Sequence, residues 1–453
     1  LPARIWRSAV RGPLVPRTER ERRRWVFDTL VLHFRPIRVP ASTLSWTHTF
    51  GLGGSSLVLI GLLVVTGLLQ LFVYEPDPSR AYASIVALES TYVFGALVRG
   101  VHYWSANLLV VVVLLHLLRV FFTGGFLAGR RFNWIVGLLL LGIVLAANFT
   151  GYLLPWDQLS YWAVTICTGM LEYIPGIGVW LRNLLRGGSE VGAPTLITFY
   201  TLHTTVVPVV IVALLALHFW RVRKAGGVVP PRAPREMPAS GGEKVLFVPH
   251  LLQREIAQGL VLGAAVLVLA FLFGGPLGDP ANPGMSPNPA KAPWYFQGFQ
   301  ELQIHLHPFF AVCVAPLLAA IALLLLPYVQ EDGSSAEAGV WFRSRRGRRG
   351  AMLAAVTALI VTPLLVLLDE RWRGLADRSP GAASLVTRGL LPLAVTVLLL
   401  AAAGAWLRRR RGATRGETLQ TLFVFLLVAF VVLTATSVWF RGPGMALAWP
   451  GSF

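Results

Sequence analysis

Long apolar runs broken by short polar or basic stretches set the pattern of this chain. Runs near residues 46–74, 94–122, 134–154, 196–220, 255–275, 306–328, 350–368, 388–407 and 419–440 are each long and charge-poor enough to cross a bilayer as a helix, which predicts about nine spans. Between the third and fourth runs, PWDQLSYWAVTICTGMLEYIPGIGVWLRNLLRGG is too polar to span and too aromatic for a plain linker, so it predicts helices lying at the interface. Ahead of the first run, Arg17, Arg20, Arg22, Arg23 and Arg24 precede an apolar WVFDTLVLHF. That pattern predicts an amphipathic helix on the cytoplasmic surface, and without a charge-free h-region no cleavable signal is expected. A Pro/Gly-rich stretch from about residue 225 to 243 is the clearest linker. The expected class is all-α and polytopic.

Composition agrees: 55% of residues are hydrophobic and only 13% charged, well below a soluble domain. The net charge of +19 sits in short clusters, GRR at 129–131, RVRK at 221–224, RSRRGRR at 343–349 and RRRR at 408–411. With the N-terminus in the cytoplasm and nine spans, all four fall on the cytoplasmic side, so the charge reads as positive-inside topology and contact with anionic lipid. Nucleic acid is not an expected partner. The cysteines are Cys167 and Cys313, too few for a four-cysteine cluster, a zinc ribbon or a CxxCH haem attachment.

The candidate chemistry lies in the second and fourth runs. RGVHYWSANLLVVVVLLHLLR carries His102 and His116, 14 residues apart, and LHTTVVPVVIVALLALHFWR carries His203 and His218, 15 apart. At roughly 100° and 1.5 Å per residue, 14 residues return to within about 40° of the same face, and 15 miss by about 60° the other way. Each helix thus offers two imidazoles at two depths. The two helices run in the same direction, so His102 meets His203 near the outer face and His116 meets His218 near the inner one. Such pairs fit two planar metal macrocycles, one above the other. Gly53 and Gly67 in the first run and Gly137 and Gly151 in the third repeat the 14-residue spacing, as expected of helices that must come close to such a group. Arg99 and Arg119, each three residues beyond a histidine, would meet outward-pointing propionates, or else snorkel at the helix ends. From the residues alone, a transporter whose histidines line a proton or substrate path stays open, although the stripe between His102 and His116 is apolar.

RGVHYWSANLLVVVVLLHLLRVFFTGGF, GYLLPWDQLSYWAV, IPGIG and FYTLHTTVVPVV followed by LHFWRVRKAG resemble signature segments of cytochrome b, the subunit of Rieske/cytochrome b (bc-type) complexes. The resemblance covers about residues 45–330. It implies a four-helix bundle over 46–230 with two non-covalent b-type haems, His102 and His203 holding one and His116 and His218 the other, with haem-packing Gly53, Gly67, Gly137 and Gly151 and propionate-binding Arg99 and Arg119. It further implies a quinol-site region over 231–330, extra spans over 331–453, and 1–45 as the cytoplasmic N-terminal segment. The implied activity is bifurcated quinol oxidation with proton translocation in a bacterial inner membrane. Implied partners are a Rieske-type iron–sulfur protein, a c-type cytochrome, quinone, lipid and a second copy within a larger complex. A di-haem anchor of a quinone-linked dehydrogenase is the alternative.

The family's plastoquinol branch carries a cysteine that attaches a further haem; Gly51 stands there, so no third haem is expected. Pro293 in KAPWYFQGFQE occupies the place of the glutamate in the family's Pro-Glu-Trp-Tyr motif. Quinol oxidation still needs a base in a desolvated pocket. Glu301 is the first candidate, with Asp157 and Glu172 as runners-up, and for each of the three a structural N-cap or surface group is the alternative. Trp294 and the catalytic candidate Tyr295 are expected to shape the outer quinone pocket opposite Tyr152 and Pro155. Arg223 and His48 are the inner-site candidates. The extra spans carry no chemistry that the sequence names.

Overall fold

The computed structural model describes residues 38–127, 129–231, 243–329, 338–376 and 382–451, with single positions 4, 18 and 19. The expected amphipathic helix therefore lies outside the described residues, as does the heart of the linker, 232–242. Among the described residues nine helices are long and apolar enough to span a membrane, in the expected order. They begin with α1 (Leu52–Leu71). After a short α2 (Ala81–Ser90) come α3 (Gly95–Phe122) and α4 (Arg131–Tyr152). The interfacial α5 (Gln158–Gly169) and α6 (Gly178–Arg186) precede the span α7 (Ala193–Lys224). Next are α8 (Leu252–Phe273), the short α9 (Gln297–His305) and α10 (Ala315–Val329). The last three are α11 (Arg345–Ala376), α12 (Leu391–Arg411) and α13 (Arg415–Phe440).

Two compact units divide these elements. One comprises Leu1–Tyr152, Phe199–Leu277 and Leu324–Arg343; the other comprises Leu153–Thr198, Gly278–Leu323 and Ser344–Phe453.

In the first unit α1 and α8 pack on α3, and α4 packs on α7. The α3–α8 crossing is close because Gly100 has no side chain: a Cβ there would stand 3.1 Å from the Cβ of Ala270. A two-stranded antiparallel ribbon, absent from the sequence reading, pairs Arg38–Pro40 with Lys244–Leu246. In the second unit α11 and α9 both pack on α13. A Cβ at Gly298 would lie 2.5 Å from Thr434 Oγ1, so only glycine lets α9 lie this close to α13. Thr414 and Glu417 cap each other's backbone at the start of α13, fixing where the last span begins after Gly412, whose φ of +60° ends α12.

Candidate functional site

The four histidines lie in the first unit, two on α3 and two on α7, and the extra residue between His203 and His218 has a structural answer. Residues Leu202–Val206 form a π turn inside α7, one residue wider than an α turn. Pro208 has no N–H, so the helix cannot make its ordinary bond at this point, which favours the wider turn. The 15-residue spacing is thereby brought back into step with the 14 residues on α3.

At the outer level the His102 and His203 rings are 6.2 Å apart between centroids, with planes at 71°. Their tautomers follow from their neighbours. The Thr66 hydroxyl donates to Leu62 O at 2.6 Å, leaving its oxygen to accept from His102 Nδ1–H at 2.9 Å. His203 Nδ1–H donates to Ala147 O at 3.0 Å, with Thr150 Oγ1 at 3.3 Å. Both Nδ1 atoms are thus occupied as donors, and each Nε2 keeps a bare lone pair, the arrangement a metal-ligating histidine needs. At the second level, set by His116 on α3 and His218 on α7, His218 Nδ1 is buried without a partner.

Each glycine of the repeated spacing faces one imidazole. A Cβ on Gly67 would lie 3.3 Å from His102 Cε1, on Gly151 2.5 Å from His203 Cε1, on Gly53 3.7 Å from His116 Cε1 and on Gly137 3.6 Å from His218 Cε1. The flanking helices α1 and α4 thus present bare backbone to the rings at both depths. Residues of this kind fit haem: paired imidazoles in an apolar bundle, clearance on both sides, and a buried guanidinium with a donor to spare. That guanidinium is Arg119, whose Nε donates to His48 O at 2.8 Å while Nη2 is buried without a partner. Arg99 donates to Glu89, to Gly275 O at 2.6 Å and to Pro276 O at 2.8 Å, and so ties α3 to the loop after α8.

His48, in the helical turn Trp46–Thr49, is buried, and its Nε2–H donates to Val229 O at 2.6 Å. Burial, reinforced by the Arg119 charge, pushes its pKa below the usual range, so Nδ1 is an unpartnered acceptor. Arg223 is half-buried in the last turn of α7. Tyr152 closes α4, and Pro155 follows in the turn that leads to α5.

In the second unit Trp294 and Tyr295 form a short 3-10 turn running directly into α9, with their rings edge to face at 5.5 Å. The three carboxylate candidates are all engaged. Asp157 is the N-cap of α5: Oδ1 accepts from Ser160 N at 2.8 Å and Oδ2 from Gly278 N at 3.0 Å, so of the two roles open to it the structural cap is the one observed. Glu172 forms a surface ion pair with Arg182. Glu301 is fully buried and takes Arg441 Nη2 at 2.5 Å and Nε at 3.0 Å, with His305 Nε2 at 3.1 Å. Burial alone would raise its pKa, but the His305 and Arg441 hydrogen bonds outweigh that and hold the carboxyl below its usual value.

The cluster extends to residues that sequence reasoning missed. His305 Nδ1 lies 2.7 Å from Asp369 Oδ2, and Arg441 Nη1 donates to Glu370 at 2.6 Å. Asp369 and Glu370 belong to α11, so the extra spans, expected to carry no chemistry, do supply polar partners to this cluster, both of them partly exposed. Arg441→Gln is expected to cost roughly 3–5 kcal/mol, because it leaves the Glu301 carboxylate buried without its main partner. Thermal unfolding of the assembled protein measures this. Since the folded-state pKa of Glu301 is depressed, the stabilisation from the pair is present at neutral pH and fades as pH falls below about 4 in the wild type.

Comparison with known proteins gives the family. The cytochrome b/b6/petB family model matches residues 39–226. Cytochrome b6 of Mastigocladus laminosus is 44% identical over 175 residues, 39% of this chain and 81% of that protein. Cytochrome b6 of Prochlorococcus marinus (strain NATL1A) is 44% identical over 175 residues, 39% of this chain and 80% of its own length. A chain of the "Hyperthermophilic respiratory Complex III" superposes with a TM-score of 0.62 at 22% identity, covering 93% of this chain and 97% of that one, a likeness of fold. With paired imidazoles, facing glycines and these relatives together, the chain is a multi-pass integral membrane protein that belongs to the cytochrome b/b6 family, whose prosthetic group is b-type haem.

Proposed function

We propose that this chain is the di-haem subunit of a bc-type quinol oxidoreductase in a bacterial inner membrane. In this reading quinol is oxidised on the outer side, with one electron going to a Rieske-type iron–sulfur protein and the other into the cytochrome. Bound b-type haems would supply one-electron carriers at two depths. His102 and His203 hold the outer group, with Thr66 and Ala147 fixing their rings, and His116 and His218 hold the inner one. Arg119 offers its free Nη2 to a propionate.

The Trp294–Tyr295 turn lines the quinol site, and the adjoining Glu301 cluster receives a quinol proton. On the inner side His48 Nδ1 offers an acceptor to a quinol hydroxyl, and Arg223 provides positive charge near it. The complex includes a c-type cytochrome subunit, lipid and a second copy of this chain. The observation that carries the reading is the four-glycine, four-histidine register at two levels. Fold likeness to a respiratory Complex III chain over nearly the whole length supports it.

The test is quinol added to the purified complex with an external one-electron acceptor. Quinol-dependent reduction of the haem, with acid release on the outer side in vesicles, is expected. Haem that takes electrons only from a peripheral dehydrogenase, and none from quinol, would overturn it in favour of a dehydrogenase anchor.

A further inference from the structure

Gln297, Glu301 and His305 recur every four residues and share one face of α9, which starts directly after the Trp294–Tyr295 turn. His305 touches a carboxylate with each ring nitrogen, Asp369 at 2.7 Å and Glu301 at 3.1 Å. A neutral imidazole has one N–H, so both contacts are hydrogen bonds only if the triad holds one proton beyond a neutral ring and two carboxylates, either as imidazolium or as a carboxyl group. In that state the triad holds a proton that can be passed to either side. Its side-chain exposure rises in order, 0% at Glu301, 12% at His305 and 39% at Asp369, so one end is sealed and the other is open at the protein surface. At the sealed end Gln297 is 7% exposed, and its Oε1 is buried without a partner. Among the described residues, charged groups beside the triad include Arg441, which binds Glu301 and Glu370, and Arg388, whose Nη2 donates to Ile304 O at 3.0 Å.

We propose that Glu301, His305 and Asp369 form a proton relay from the outer quinol site to water, with its exit supplied by the extra span α11. This rests on the quinol-oxidation reading above. Quinol becomes quinone by losing two electrons and two protons. The electrons go to the iron–sulfur protein and the cytochrome, and the relay, reset after each transfer, carries the two protons out one after the other. A quinol O–H bond breaks and that proton enters at Glu301; an N–H or O–H proton shifts across His305, and Asp369 releases a proton to water. The triad ends as it began. The Gln297 carbonyl, about 6 Å or one turn before Glu301, accepts a hydrogen bond at the entry. Pro293 can stand where the family has glutamate because the proton acceptor lies two turns further along.

The test uses the assembled membrane complex with H305Q and D369N, assayed for quinol oxidation across about pH 6 to 9 and by infrared titration of the carboxyl and imidazole bands without turnover. Both variants are expected to keep the wild-type haem content and quinol KM. H305Q should lower kcat at neutral pH about tenfold or more and flatten its pH dependence, with D369N acting in the same direction. The infrared signal of the shared proton should disappear in each. If H305Q does not assemble, D369N at the exposed end carries the same test. Wild-type turnover with unchanged pH profiles and infrared titration in the variants would overturn the relay and leave the quinol reading standing. A wild-type complex that never oxidises quinol would overturn both.

Discussion

Replacement of His203 by alanine is expected to remove one of two haems per chain and to abolish quinol-dependent turnover while the helices still insert. The imidazole is held by Ala147 O and Thr150, so its Nε2 has one orientation, and no other described side chain at that level offers a ring nitrogen to His102. Losing even an outer-shell partner of a metal ligand costs about 10–100-fold in affinity, and losing the ligand itself costs more. Thr150→Ala is therefore the milder companion, weakening retention without eliminating it. The inner pair is built from different side chains roughly 21 Å further along the helices, so His116 and His218 should keep their haem. Haem per polypeptide and the reduced-minus-oxidised spectrum read both effects. Loss of all haem from His203→Ala would show that the levels are not independent.

Substitution of the four glycines should harm haem binding in a graded order set by clearance. Gly151→Ala drives a Cβ to 2.5 Å from His203 Cε1, nearer than atoms tolerate, so the ring or α4 must shift. Overpacking of this kind costs about 1–3 kcal/mol, and here the strain falls on the ligand itself. Gly67→Ala, at 3.3 Å from His102 Cε1, should be intermediate, and Gly137→Ala and Gly53→Ala, at 3.6 and 3.7 Å, mild. Gly61 and Gly142 on the same two helices have nothing within 4 Å of an added Cβ. Alanine there removes only glycine's helix penalty of about 1 kcal/mol and should leave haem content intact. Equal effects at Gly142 and Gly151 would show that the glycines act through helix flexibility rather than clearance.

The spans, the histidine pairing and the glycine register were legible in the sequence because helical periodicity turns spacing into position. The supports of the rings were not read, although a signal was there: Thr66–Gly67 and Thr150–Gly151 repeat a Thr-Gly pair at the outer level of both flanking helices. The hydroxyl sits one residue before the clearance it serves. The 15-residue spacing looked like a misfit because a straight α-helix was assumed, and the π turn before Pro208 removes it. Asp157 was readable as a cap from its place before an aromatic helix, and it is one. The Glu301 cluster was half visible, with Glu301 and His305 four apart. Its partners Asp369, Glu370 and Arg441 come from distant chain segments, and no local pattern announces tertiary pairing of that kind.

The central claim is two non-covalent haems, each between one histidine of α3 and one of α7. Acid–organic extraction of the purified protein, with haem counted per polypeptide and ligation read from the low-spin spectrum, tests it most directly. Two extractable b-type haems per chain with bis-histidine ligation are predicted, and none should remain attached to the polypeptide, since Gly51 offers no thiol. One haem per chain, or haem that stays covalently bound, would contradict the account.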